Sequence, residues 1–262
     1  MFDNSRTIIE ALKLLPRPLL SQLMAWRYRR ELRHGERELR FLGNFVATND
    51  LCLDVGANLG TFSYILGRLT GNCIAFEANP LLAGLLAKLR LDGVVVEPIA
   101  ISDRTSVERF GFPRSRYGHA LGRLLPKDFP EGRLDSTDVP VRPIDSYNFQ
   151  NIRFIKIDVE GHEEAVIRGA ERAIAASRPV IMVEVEERHN PGGLRRISDH
   201  LSSLAYKGFF LMDGWVDIEN FSVQEHQNPA LLDGSPHRGD QNYVNNFLFL
   251  PNGDLSIREM QK

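Results

Sequence analysis

Leu51-Cys52-Leu53-Asp54-Val55-Gly56-Ala57-Asn58-Leu59-Gly60-Thr61 decides how this chain is read. A short apolar strand runs into Asp54, a turn follows at Gly56 and Gly60, and apolar residues at helical spacing (Phe62, Ile65, Leu66, Leu69) begin at once. Strand, glycine turn and helix N-terminus together make a nucleotide cradle, because glycine lets the backbone turn sharply and come close to a ligand. The spacing is Asp-x-Gly-x-x-x-Gly and departs from the Gly-x-Gly-x-x-Gly of dinucleotide-binding turns. Taken alone, the turn is equally a plain strand–helix corner with Asp54 as its cap.

The next strand, Cys73-Ile74-Ala75-Phe76, ends at Glu77, 21 residues after Gly56. An acid at that distance, at the end of the second strand, can accept hydrogen bonds from both hydroxyls of a ribose. The expected ligand is therefore an adenosine compound with an unmodified ribose. It needs no pyrophosphate, since only part of the phosphate-cradling glycine set is present. S-adenosylmethionine fits better than NAD.

Outward from this stretch, strand and helix patterns alternate. Strands are expected near 51–55, 72–77, 94–99, 153–158, 180–185, 208–213 and 244–250, with helices near 60–70, 80–91, 162–176 and 194–206. This is the pattern of a parallel, doubly wound α/β sheet with helices on both faces. Such sheets bind ligands beyond the C-terminal ends of their strands. Asp54, Glu77, Ile101-Ser102-Asp103, Asp158 and Glu184 all fall at or just past expected strand ends.

Two polar stretches interrupt the alternation, 104–151 and 214–243. Long inserts in a compact domain are often functional lids. The first carries Arg114, Arg116, Tyr117 and His119, which could recognise a polar or acidic acceptor; the second carries His226, His237, Arg238 and Asp240. Residues 1–45 are read as an N-terminal helical extension and 46–262 as the main domain. In the extension Leu12, Leu15, Leu19, Leu23 and Trp26 keep helical spacing, interrupted by Pro16 and Pro18. Residues 27–40 hold six arginines and three glutamates. They read either as a membrane-surface or partner-binding helix or as a solvated face with its own ion pairs; the second is the expectation. The segment can also cover the active site or form a homodimer contact.

Bulk properties narrow the class. The chain has 262 residues, 43% apolar and 25% charged, enough for one large α/β domain with an appendage. A net charge of −2 gives no reason to expect a nucleic-acid partner. Cys52 and Cys73 lie in expected core strands, so buried reduced thiols are expected rather than a disulfide or a cysteine metal site. No apolar run approaches the ~20 residues needed to span a membrane. Met-Phe-Asp-Asn-Ser lacks the features of a secretory signal, and a cytoplasmic location is expected.

A second constellation lies at Phe154-Ile155-Lys156-Ile157-Asp158-Val159-Glu160-Gly161-His162-Glu163-Glu164. Alternation puts Lys156 and Asp158 on one face of a strand. A lysine in a central parallel strand needs an acidic partner, for which Asp158 and Glu184 are candidates. Glu163 and Glu164 suit a helix N-terminus, but the dipole does not account for Lys156 or Asp158.

The order and spacing of Asp54–Gly60, Ala75–Pro80 (Ala-Phe-Glu-Ala-Asn-Pro), Ala100–Asp103, Phe154–Glu163, Val180–Val185 and Asn245–Phe249 resemble the successive motifs of FkbM-type methyltransferases. The resemblance covers about residues 45–250; the first 45 residues and both inserts carry no matching motif. It implies a class I, Rossmann-like, S-adenosylmethionine-dependent methyltransferase with sheet order 3-2-1-4-5-7-6 and an antiparallel seventh strand. Members mostly methylate hydroxyls of natural products, sugars or glycolipids. By carry-over, Asp54 and the backbone of Gly56, Asn58 and Gly60 hold the methionine part of the cofactor. Glu77 takes the ribose hydroxyls, Ile101 and Ser102 flank the adenine, and Asp158 sits near the transferable methyl.

For a hydroxyl acceptor a base must take the proton as the new bond forms. His162, whose ordinary pKa lies near working pH, is the first candidate; Asp158 or Glu160 could serve instead. His162 could equally be a helix first-turn residue hydrogen-bonded to a neighbour. Lys156 is expected to orient a carboxylate or the substrate. Asp158 with Glu184 or Glu186 would be the ligands of a magnesium ion, but acidic clusters beside a cofactor are common without one, and no metal is expected. The competing functions are an N-methyltransferase, an NAD-dependent reductase and a non-catalytic nucleotide-binding protein of the same fold. The reductase is disfavoured by the glycine spacing and the lack of a clear Tyr-x-x-x-Lys pair.

Overall fold

The computed structural model describes residues 4–112, 122–126, 128–130, 134–231 and 243–254. In chain order the strands are β1 (Leu51–Val55), β2 (Cys73–Phe76), β3 (Val94–Glu97), β4 (Ala100–Ile101), β5 (Ser106–Phe112), β6 (Arg123–Leu124), β7 (Asp135–Arg142), β8 (Ile152–Ile157), β9 (Val180–Glu184), β10 (Tyr206–Leu211), β11 (Trp215–Asp217) and β12 (Asn246–Pro251). The main helices are α1 (Asn4–Leu14), α2 (Arg17–His34), α3 (Thr61–Thr70), α4 (Pro80–Leu89), α5 (Glu163–Arg168), α6 (Glu171–Ser177) and α7 (Gly193–Ser203).

Eight strands form one sheet in the order β11-β10-β12-β9-β8-β1-β2-β3. Apart from the edge strand β11 this is the expected 3-2-1-4-5-7-6 order, and β12 runs antiparallel to both β9 and β10. Central strands of a parallel sheet are covered on both faces and so read as nearly continuous apolar runs; β1, β8 and β9 are buried along almost their whole length. On one face Leu53, Val55, Ile155, Ile157 and Val183 pack against Val166, Ile174, Leu194 and Ile197 of α5, α6 and α7. On the other, Cys52, Phe154 and Met182 meet Phe62, Ile65 and Leu66 of α3, together with Leu39, Leu42 and Phe45 from the 3₁₀ segment Arg37–Asn44 and its end. Cys52 and Cys73 are register partners on adjacent strands, both buried and free.

Three features depart from the sequence pattern. The helix expected over 162–176 is two helices, broken at Gly169. A Cβ there would lie 1.9 Å from the Ser102 carbonyl oxygen, and Asp145 caps the second piece by accepting the N–H groups of Arg172 and Ala173. The stretch after 213 begins with the hairpin strand β11, which pairs with β10. The insert after 104 adds β5, β6 and β7 to β4 in a second sheet, in the order β4-β7-β5-β6. At the N-terminus Pro16 ends one helix and precedes the first turn of the next, where proline is tolerated. No helix among the described residues is long and apolar enough to cross a membrane.

Candidate active site

The C-terminal edge of β1 carries the first groups. Asp54 is the register partner of Lys156 and accepts a hydrogen bond from the Ser63 hydroxyl at 2.5 Å. Burial pushes its carboxyl up to about 6, with Ser63 and Lys156 pulling the other way. The chain then turns at Gly56 with φ +84°, and a Cβ there would lie 1.7 Å from the Asp158 carbonyl oxygen. Only glycine fits that position. The Gly56 and Ala57 N–H groups both donate to the Phe76 carbonyl (2.9 and 3.0 Å), and Gly60 N–H donates to Ala57 (2.7 Å). Asn58 N–H donates to Glu77 Oε2 at 2.6 Å, and Asn79 N–H to Glu77 Oε1 at 2.7 Å. Glu77 is buried, which pushes its carboxyl up to about 7 against the pull of those two amides.

Beside this turn opens a cleft that is partly open to solvent. Gly56, Asn58 and Glu77 line one side, and Asp158, Val159, Glu160 and His162 another. Leu82, Ile99 and Ile101 make an apolar wall that continues into the second sheet through Phe110, Arg123 and Leu124. Of the residues expected around a cofactor, Gly56, Asn58, Glu77, Ile101 and Asp158 reach the cleft. Asp54, Gly60 and Ser102 stand behind its surface; Ser102 is fully buried. Arg114, Arg116, Tyr117, His119, His237, Arg238 and Asp240 lie outside the described residues.

His162 stands just before α5, as its N-cap, and lines the cleft. Its Nε2 lies 2.8 Å from Ser102 Oγ. Burial, then the nearby Arg104 guanidinium, hold its imidazole below the ordinary range. Glu160 adopts φ +53° and its carboxylate pairs with His189 Nδ1 at 3.1 Å, which holds His189 above its usual value.

Lys156, 1% exposed, lies 3.7 Å from Glu184 Oε2 and 5.0 Å from the Phe62 ring centroid. Burial works against its charge, but Asp158, Glu184, Glu36 and Asp54 together hold the ammonium above its ordinary pKa. Glu184 Oε1 accepts from Asn245 Nδ2 at 2.7 Å. Asn246 Nδ2 donates to Asn245 Oδ1 at 3.3 Å and to Glu36 Oε2 at 3.1 Å. A hydrogen-bonded chain thus runs from Glu184 through both asparagines to Glu36, just ahead of the 3₁₀ segment. Glu36 is exposed, and its carboxylate reaches Asn246. Desolvation where its carboxylate meets the protein raises its pKa above the ordinary range, with Lys156 pulling the other way. Burial and the neighbouring Asp158 carboxylate hold Glu184 well above the usual range. Glu186 bonds Arg188 and the Tyr243 hydroxyl. Among the described residues no three His, Cys, Asp or Glu side chains are grouped to hold a metal ion.

A model of the methyltransferase FkbM domain matches residues 54–211, more than half of the chain. The chain belongs to the FkbM methyltransferase family. The match spans the glycine turn, Glu77, the insert sheet and the Lys156–Asp158 strand. No curated protein matches the chain. Among solved structures, the FkbM methyltransferase of Methylobacillus flagellatus KT is similar at 16% identity and a TM-score of 0.53, over 82% of this chain and 48% of that one. This FkbM chain therefore spans about half the length of that protein. The precorrin-6y C5,15-methyltransferase of Geobacter metallireducens GS-15 matches at 13% identity and a TM-score of 0.43, over 82% of this chain and 84% of that one. An rRNA methylase of Streptococcus thermophilus matches at 11% identity and a TM-score of 0.43, over 81% of this chain and 93% of that one.

Several residues around the FkbM site were not singled out from sequence. Phe110, Arg123 and Leu124 come from the insert, where no motif marks them. Asn245 and Asn246 sit within a recognised motif but carried no assigned role. Glu36 lies in an arginine-rich stretch and has no local signal at all.

Proposed function

We propose that this chain is an S-adenosylmethionine-dependent methyltransferase that methylates a hydroxyl of a small molecule, sugar or glycan. The observation that carries the cofactor is the sign of the charge around the cleft. Glu77, Asp158 and Glu160 line it, while Asp54, Glu184 and Glu36 surround Lys156, the one ammonium in that cluster. A cationic ligand relieves the repulsion among these carboxylates, and a dinucleotide's diphosphate would add to it. The glycine turn agrees. Its amides at Gly56, Ala57, Asn58 and Gly60 are already used within the protein, so it does not present those donors to a phosphate. S-adenosylmethionine has a sulfonium, an ammonium and a carboxylate, so it is a net cation, and it has no phosphate. The residues present fit it.

When bound, the cofactor supplies an electrophilic methyl group on its sulfonium. In this reading each Glu77 oxygen, already holding one backbone amide, accepts one ribose hydroxyl with its remaining lone pair. Ile101, Phe110 and Leu124 would form the apolar wall that holds the adenine. Ser102 acts from behind through His162, so His162 belongs to the nucleobase end rather than serving as the base. Asp54, Gly56, Asn58 and Gly60 would shape the methionine end, and Asp158 would face the transferable methyl. The acceptor's proton passes to the carboxylates of the Lys156 cluster, Asp158, Glu184 or Glu36, and Lys156 fixes their orientation. Glu160, paired with His189, lines the cleft wall. These carboxylates equally suit an amine acceptor, which makes an N-methyltransferase the second reading.

Calorimetric titration with S-adenosylhomocysteine and, separately, NADH tests the cofactor assignment on the wild type and Glu77→Ala. Tight binding of the homocysteine compound alone, weakened by the substitution, supports it and opens a screen of hydroxyl and amine acceptors. Binding of NADH, or of neither compound, rejects it.

A further inference from the structure

Helix α2 has two different faces. Leu20, Met24 and Tyr28 are buried on the inner one, and the Tyr28 hydroxyl donates to the Leu59 carbonyl at 2.7 Å, inside the glycine turn. On the outer face Leu19, Leu23, Trp26, Arg30 and Arg33 follow one another at the four-three spacing of a single helical stripe. Leu19 is 52% exposed, Leu23 43% and Trp26 60%. The Arg30 guanidinium lies over the Trp26 ring at 5.9 Å. The helix holds five arginines and one glutamate, Glu31, which is turned towards Gly35. Single exposed apolar residues are ordinary, but an ordered row containing tryptophan and continued by arginines is not.

We propose that the outer face of α2 docks on an anionic lipid surface, with Leu19, Leu23 and Trp26 entering the headgroup boundary and Arg29, Arg30 and Arg33 meeting lipid phosphates. Exposed tryptophan and leucine flanked by arginines can anchor a surface at such an interface without spanning it, the apolar side chains entering the headgroup boundary and the arginines drawn to anionic lipid. Charge complementarity chooses this occupant over a second copy of the chain. Isologous pairing of this face would bring Arg30 and Arg33 into the contact with no carboxylate opposite them. Because Tyr28 holds the inner face against the glycine turn, a docked helix would set the cleft at a fixed height above the membrane.

The test is co-sedimentation of the 262-residue chain with phosphatidylglycerol–phosphatidylcholine vesicles and with pure phosphatidylcholine vesicles, read together with tryptophan emission. Of the two tryptophans Trp215 is 5% exposed, so a blue shift on binding reports Trp26. The expected result is binding to the anionic vesicles, weakened by salt. The triple substitution Leu19→Ser, Leu23→Ser, Trp26→Ser should reduce it about tenfold or more. Arg29→Gln, Arg30→Gln, Arg33→Gln should reduce it while the blue shift on the remaining bound protein persists. Both variants should keep the wild-type circular dichroism and affinity for S-adenosylhomocysteine, since the changed side chains face outward. No binding to anionic vesicles, equal binding by the variants, or a dimer in sedimentation equilibrium that the triple substitution dissolves would overturn the proposal.

Discussion

Asn246 Nδ2 donates to Glu36 Oε2 at 3.1 Å, joining two residues 210 positions apart. The bond ties the segment after α2 to the start of β12, and so brings a carboxylate from outside the matched domain to Lys156 at the C-terminal edge of the sheet. If Glu36 takes the acceptor's proton, Glu36→Gln should lower kcat about a hundredfold while leaving affinity for S-adenosylhomocysteine within about twofold. Glutamine keeps the shape and an oxygen for Asn246 to bond. Steady-state kinetics beside calorimetry separate the two effects, and an unchanged kcat would remove Glu36 from the chemistry.

The contrast between Glu36 and Glu77 shows what a sequence can reveal here. Glu77 follows a strand at a fixed distance from the glycine turn, so its place is dictated by one strand–helix–strand unit. The strands were legible as short apolar runs ended by the motifs, and the sheet order followed from the family resemblance those motifs carry. Glu36 arrives through tertiary packing of Leu39, Leu42 and Phe45 under the sheet, which no local pattern encodes. Phe110 and Leu124 reach the cleft because a second sheet folds from the insert, where no motif marks the edge it presents. The break at Gly169 depends on the nearby Ser102 carbonyl and is equally invisible to helical periodicity.

Stability should fall as pH rises from 6 to 8. Burial holds Glu77 and Glu163 at about 7 and Asp54 at about 6. In the unfolded chain such groups titrate near about 4. Between those values the folded protein binds more protons than the unfolded chain, so their contribution is full below about 4 and is lost as pH passes about 7. His162 is lowered and His189 raised, so these two oppose each other near neutrality. Differential scanning fluorimetry should give a higher Tm at pH 6 than at pH 8. S-adenosylhomocysteine should recover more of it at pH 8, because ribose hydroxyls donate to ionised Glu77. A profile that is flat or rises with pH would contradict the burial of these carboxylates.

Gly56→Ala should abolish cofactor binding and destabilise the fold. The added Cβ would stand 1.7 Å from the Asp158 carbonyl oxygen, at a φ of +84° that alanine adopts only under strain. Backbone strain alone costs about 1–3 kcal/mol, and the clash must also push β8 away from β1. Urea denaturation should show the loss of stability, and calorimetry the loss of S-adenosylhomocysteine binding. Tight binding by the variant would mean that the turn adapts and that its close approach to Asp158 is incidental.

Lys156 is the hardest residue in the sheet to replace, and its partner can be found by replacing both. Lys156→Met keeps an apolar stem against Phe62 but leaves Glu184, Asp158, Glu36 and Asp54 without their ammonium. Removing one partner of a buried ion pair costs about 3–5 kcal/mol, because a charge is left uncompensated. Glu184→Gln removes one of those charges while preserving an oxygen for Asn245 Nδ2, the bond now made at 2.7 Å. Lys156→Met combined with Glu184→Gln should therefore be more stable than Lys156→Met alone, by about 1 kcal/mol or more, in a double-mutant cycle measured by urea denaturation. If the two substitutions simply add, the 3.7 Å approach of Lys156 to Glu184 contributes little. The ammonium would then be held mainly by Asp158, and Asp158→Asn should rescue Lys156→Met instead.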